Sequence, residues 1–217
     1  MMAMAALFLA LFPANLFASN MLASLGDFYI SAKGGWANPG KMNDNTSYYL
    51  TDIEIDSNPG FHMSGAFGEI KGAWRGEIEL AMQKNDLYQW TRTNTNGATS
   101  KEIVGDVKIF TALGNIYYDF KGIPKWTPYV GAGAGGVLVD MGSVKYASGS
   151  TYVAGEANAV ARGIACQATF GVSYEITDQF VWDMGYRFLW LMDSEFKAFP
   201  ALEISSHNVT MGLRYLF

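Results

Sequence analysis

Long hydrophobic runs are missing from this sequence. Beyond residue 26 nothing approaches the roughly 18 uninterrupted apolar residues that a membrane-crossing helix needs. Charge is scarce as well, at 16% of residues, and Asp and Glu outnumber Lys and Arg by 20 to 15. A net charge of −5 excludes the basic patch of a nucleic-acid binder, so no nucleic-acid partner is expected. The single cysteine, Cys166, excludes an internal disulfide and any CxxC metal or redox motif, and it lies too far along the chain to anchor a lipoprotein. Only two histidines are present and no cluster has metal-ligand spacing, so no metal or other cofactor is expected.

What is present is glycine, at 24 copies, and aromatic residues, at 15%. Half the residues are hydrophobic, yet mean hydropathy is close to zero. Disordered chains lack that apolar content. A transmembrane barrel has it, because one face of each strand meets lipid and the other does not. The N-terminus reads as an export signal over residues 1–23: Ala3 to Phe12 is unbroken apolar sequence, followed by Pro13 and Asn15, with cleavage expected after Ala18 or Ala23. No Lys or Arg precedes the apolar core, which is a departure from the usual signal.

The stretch from His207 to Phe217 shows the organising pattern. Phe217, Tyr215, Leu213, Met211, Val209 and His207 fall on one face; Leu216, Arg214, Gly212, Thr210 and Asn208 fall on the other. Period two is the strand period, and about eleven residues suffice for a tilted strand to cross a bilayer. Seven earlier segments share the pattern: Phe28–Ala37, Phe61–Ile70, Trp74–Gln83, Asp106–Phe120, Thr127–Val139, Gly163–Ile176 and Phe180–Trp190. Connectors alternate between long polar ones, 38–60, 84–105, 140–162 and 191–206, and tight turns. The expected fold is all-β: an eight-stranded antiparallel up-and-down transmembrane barrel of the outer-membrane type, covering 27–217. An even strand count puts both ends on the side of the short turns, so periplasmic termini and outward-facing long connectors are expected.

With these elements in place, the run Trp126-Thr-Pro-Tyr-Val-Gly-Ala-Gly-Ala-Gly-Gly136, Tyr117-Tyr-Asp-Phe120, Val172-Ser-Tyr-Glu-Ile176 and the ending Val209-Thr-Met-Gly-Leu-Arg-Tyr-Leu-Phe217 resemble the OmpA-like, opacity-type outer-membrane barrels of Gram-negative bacteria. The resemblance implies a surface antigen or porin-family protein, with lipopolysaccharide and other outer-membrane lipid around it. It further implies that the terminal Leu213, Tyr215 and Phe217 form the signal read by the barrel-assembly machinery. No appended peptidoglycan-binding domain is expected.

The alternation turns Lys33, Arg75, Glu77, Glu79, Asp119, Glu175, Asp183, Arg187 and Arg214 toward the lumen. An eight-stranded barrel is only wide enough for side chains to fill. These charges therefore read as a paired plug, with a small porin-like channel as the alternative. Glycines 131, 133 and 135 face inward too, where they would make room for Tyr and Arg side chains. His62 and Ser64 share a face with the spacing of an activated serine, which a lipid A-modifying enzyme would require to face lipid or a crevice with an acid beside them; alternation puts them in the lumen, and no enzyme activity is expected. Tyr48, Tyr49, Tyr88 and Trp90 lie in the long connectors, where aromatic groups anchor host or environmental ligands.

Overall fold

Strand alternation becomes a closed wall in the computed structural model of the chain, which describes residues 28–40, 42–44, 52–94, 97–142, 145–148, 151–154, 159–192 and 202–217. Twelve strands follow in order: β1 (Phe28–Pro39), β2 (Met42–Asp44), β3 (Asp52–Ser57), β4 (Gly60–Lys71), β5 (Trp74–Asn94), β6 (Gly97–Asp119), β7 (Trp126–Met141), β8 (Lys145–Ser148), β9 (Thr151–Ala154), β10 (Ala159–Glu175), β11 (Phe180–Met192) and β12 (Leu202–Leu216). Eight of them, β1, β4, β5, β6, β7, β10, β11 and β12, form the barrel wall, each antiparallel to the next. The wall closes where β1 meets β12, from Tyr29 opposite Leu216 to Pro39 opposite Ser206. Closure leaves no unpaired strand edge at hydrocarbon depth, where an exposed N–H or C=O finds no partner.

One end carries the short turns. Lys71-Gly72-Ala73-Trp74 joins β4 to β5, with Gly72 at a φ of 64° that a side chain would strain. Thr177 Oγ1 accepts bonds from the backbone N–H of Gln179 (3.3 Å) and Phe180 (3.0 Å), shaping the turn before β11. At the same end the Phe217 N–H donates to Phe28 O at 3.1 Å, tying the two barrel termini together.

The other end differs from the sequence expectation. The connector 84–105 is mostly β-structure: β5 and β6 continue as a paired ribbon to Asn94 opposite Gly97. Part of 38–60 folds as β2 and β3, which pair with each other and extend the wall between β12 and β5. Part of 140–162 forms the hairpin β8–β9 and the start of β10, and 202–206 belongs to β12. Polarity on both faces reads as loop, but the backbone ladder needs only extended residues with partners, and beyond the bilayer neither face must be apolar.

The outward face of the membrane band is apolar. Ile30, Phe61, Phe67, Ile78, Leu80, Ile116, Leu138, Phe170, Met184 and Leu213 all stand exposed on it. A soluble monomer does not leave so large a contiguous patch open to water. At the turn end this face becomes an aromatic girdle, with ring centroids 5.0 Å apart in Trp74–Tyr118, 4.6 Å in Trp126–Tyr174 and 5.1 Å in Phe180–Tyr215.

Candidate functional site: a sealed lumen

Inward positions of the eight strands converge on the barrel axis in layers. Nearest the turn end, Arg75 on β5 donates through Nε to both carboxylate oxygens of Asp119 on β6, at 2.9 and 2.8 Å. Its Nη2 has no oxygen partner, and the guanidinium carbon lies 4.6 Å from the ring centroid of Tyr117 and 5.0 Å from that of Tyr129. Glu77 accepts from the hydroxyls of Tyr29 and Tyr117, both at 2.8 Å, and from Asn115 Nδ2 at 3.3 Å. Across the lumen Asp183 accepts from Arg214 Nη2 and Ser173 Oγ, both at 2.6 Å. Lys33 places its ammonium 5.7 Å from the centre of the Tyr117 ring.

These tyrosines fit because glycines stand opposite them. A Cβ added at Gly131 would come within 2.6 Å of Tyr117 Cε1, and one at Gly171 within 2.6 Å of the Tyr129 Cζ. The room expected at the glycine-rich strand is therefore occupied by Tyr117 and, at Gly133, by Asn115.

In the next layer Arg187 on β11 reaches Glu79 (Nη2 to Oε1, 3.6 Å), Gln167, His62 Nδ1 (3.3 Å) and Thr111 Oγ1 (3.4 Å). Gln167 in turn donates to Asn115 at 2.6 Å, linking this layer to the first. Four cations, Lys33, Arg75, Arg187 and Arg214, share the lumen with four carboxylates, Glu77, Glu79, Asp119 and Asp183, so the formal charge balances. Balance matters because each desolvated ion costs several kcal/mol unless it is paired and hydrogen-bonded.

Above the charges the filling changes character. On one side Gln83 donates to Asn85 (2.8 Å) and Ser206 (3.0 Å), while Asn85 donates to the backbone oxygens of Ala37 and Asn58, both at 3.0 Å. On the other side Leu87, Ile103, Val107, Ile109, Leu113, Val137, Val139, Met141, Ala161, Ala165, Leu189, Leu191 and Ile204 form a buried apolar cluster. Its outward neighbours on the same strands, Asp106, Lys108 and Asp140, are charged. On β5, β6 and the end of β7 the wall thus switches from apolar-outside to apolar-inside, whereas β11 keeps Trp190 and Met192 exposed outside Leu189 and Leu191. Sequence reasoning treated the lumen as polar throughout and missed this cap; the signal was legible in the alternation Val107-Lys108-Ile109 and Val139-Asp140-Met141.

The remaining expected residues are placed as follows. Glu175 does not join the lumen network: it is the last residue of β10 and is exposed, because the strand ends before its carboxylate reaches the interior. His62 is 1% exposed and held against Arg187, away from lipid, so the geometry needed for attack on a lipid acyl chain is not formed there. Tyr88 is exposed on the outward face of β5. Trp90 lies on β5; Tyr48, Tyr49 and the segment 1–23 lie outside the described residues. Leu213 and Tyr215 point outward from β12.

The family model described as surface antigen matches residues 37–214. An uncharacterized protein of Brucella abortus (strain 2308) is 33% identical over 84 residues; the match covers 37% of this chain and 30% of that protein's length. Neisserial surface protein A has the same fold at a TM-score of 0.56, with 19% identity and coverage of 88% of this chain and 97% of that one. The outer membrane protease OmpT of Escherichia coli superposes at a TM-score of 0.52, with 6% identity and coverage of 89% and 98%.

Proposed function

This chain belongs to the surface antigen family, and from that premise we propose that it is a closed barrel that works through the surface it displays outside the cell. It is an outer-membrane surface protein of a bacterium. In our reading the ribbon 84–105 and the segments around β2, β3, β8 and β9 face outward and meet a host or environmental ligand, while the termini face the periplasm. Recognition by exposed, variable segments on a rigid scaffold is the usual division of labour between loops and framework.

The observation that carries this reading is the filled lumen. Paired charges occupy the axis, and above them an amide cluster on one side and an apolar cluster on the other fill it, which leaves solute transport without a route through the described residues. Catalysis has no comparable support, and a likeness at 6% identity to a protease carries the fold alone. The porin-like alternative rests on the charged lumen, and planar-bilayer conductance of the refolded chain separates the two. A silent wild type with an Arg187→Ala variant that leaks is the expected result; steady wild-type conductance overturns the reading.

A further inference from the structure

The turn between β6 and β7 carries more positive charge than the other turns at its end of the barrel. Lys121 and Lys125 stand exposed on either side of Gly122-Ile123-Pro124, and among the described residues neither forms an ion pair. In the turn between β4 and β5, by contrast, Lys71 is held by Glu69 at 3.0 Å, and the turn between β10 and β11 carries Asp178 and no cation. Glu175, whose backbone N–H donates to Lys125 O at 2.9 Å, belongs to the inward row of β10 and pairs with neither lysine. Lys125 also holds a φ of 63°, in the left-handed region where glycine or asparagine would sit more easily. The backbone alone therefore does not call for lysine at this position.

Apolar groups surround these charges. Ile123 at the tip of the turn is 57% exposed, and Phe120 and Trp126 flank the two lysines. Phe120 packs edge-on against Tyr118, and Tyr118 against Trp74, each with ring centroids 5.0 Å apart. Trp126 lies against Tyr174 at 4.6 Å. Pro128, whose backbone oxygen accepts from the Phe120 N–H at 2.8 Å, lies between the two ring groups on the outward face of β7. These rings belong to the girdle that marks the membrane interface, so the two ammonium groups stand at headgroup depth.

Two unpaired cations suit an anion, and the rings and Ile123 suit apolar chains attached to it. A soluble anion would leave those apolar groups in water, and a zwitterionic headgroup would bring an ammonium of its own against the lysines. We propose that this turn binds an anionic phospholipid, its phosphate between Lys121 and Lys125 and the start of its acyl chains over Phe120, Pro128 and Trp126. The site deepens the outer-membrane reading and rests on it: the turn end faces the periplasm in that reading, and the occupant is a phospholipid of the leaflet on that side.

The test uses the refolded full chain in detergent, titrated with dioleoylphosphatidylglycerol or dioleoylphosphatidylethanolamine and read by native mass spectrometry. One phosphatidylglycerol retained per barrel is expected, about 25-fold more tightly than phosphatidylethanolamine, which is about fivefold for each lysine. The preference falls to about fivefold in Lys121→Ala and in Lys125→Gly and disappears in the double variant. Lys125→Gly suits the backbone at that position, so it unfolds in urea no earlier than the wild type while it loses lipid, which a purely structural lysine would not do. Lys71→Ala, whose charge Glu69 already answers, keeps the wild-type preference. Equal retention of the two lipids, an unchanged preference in the double variant, or the same loss in Lys71→Ala overturns the site. Retention in detergent depends neither on conductance nor on which side the turn faces, so failure here stays distinct from failure of the closed-barrel reading.

Discussion

At the scale of single residues, burial decides what a charge contributes. Arg214 and Asp183 form a pair at 2.6 Å with side chains 5% and 2% exposed, whereas Lys71 and Glu69 form one at 3.0 Å with side chains 75% and 37% exposed. The two separations are similar and the consequences are not. Removing Asp183 leaves a guanidinium desolvated with, among the described residues, Ser173 as its hydrogen-bond partner, so Asp183→Ala lowers the unfolding free energy by about 3–5 kcal/mol. Glu69→Ala, screened by water, changes it by about 0–1 kcal/mol. Urea unfolding of the barrel in lipid vesicles measures both, and equal effects would contradict the assignment of the first pair to a sealed interior. Alternation in the sequence was enough to say which of these residues point inward. It did not say that Glu77 would rest on two tyrosine hydroxyls, because those come from β1 and β6, far apart in the chain.

At the scale of the strand, a wall element can carry two patterns in succession, as β5 does, whereas β11 stays apolar on its outward face as far as Met192. Along β5 the outward positions run Trp74, Gly76, Ile78, Leu80 and Met82, then change to Lys84, Asp86 and Tyr88. The change marks where hydrocarbon ends. A charge introduced below it costs far more than one above it: Leu80→Arg destabilises the barrel by about 2–4 kcal/mol and Asp86→Arg by about 0–1 kcal/mol, following the depth dependence known for lipid-facing positions. Inward positions should show the reverse. Ile109→Asn, placing an amide among Val107, Val139 and Leu113 in the apolar cap, costs about 1–3 kcal/mol if the amide finds no partner. Comparable urea midpoints for Ile109→Asn and the wild type would show that the cap is hydrated.

At the scale of the whole molecule, the proposed sidedness rests on the contrast between tight turns and extended ribbons. In a Cys166→Ser background, Ser100→Cys on the β6 ribbon should react on intact cells with a membrane-impermeant maleimide. Lys121→Cys, in the turn between β6 and β7, should react only after the outer membrane is opened. Labelling in the opposite order would invert the topology and place the extended ribbons in the periplasm. Whole-molecule closure also explains the tie between Phe217 and Phe28: the barrel becomes one cooperative unit only when β12 pairs with β1, so truncating the last strand should abolish folding rather than loosen one edge.

The number of wall strands, their inward and outward faces and the position of the turns were determined by the sequence alone, since all of them follow from period-two alternation and from Gly and Pro in short connectors. Local patterns of this kind survive translation into structure because each strand meets lipid on one side wherever it stands in the barrel. The ribbon beyond the membrane, the apolar cap and the exit of Glu175 into solvent were decided by tertiary structure. Each depends on which strands become neighbours and at what register. A polar stretch such as 84–105 is a loop or a strand according to whether a partner strand lies beside it, and a lumen charge is a plug or a pore according to what reaches it from across the barrel.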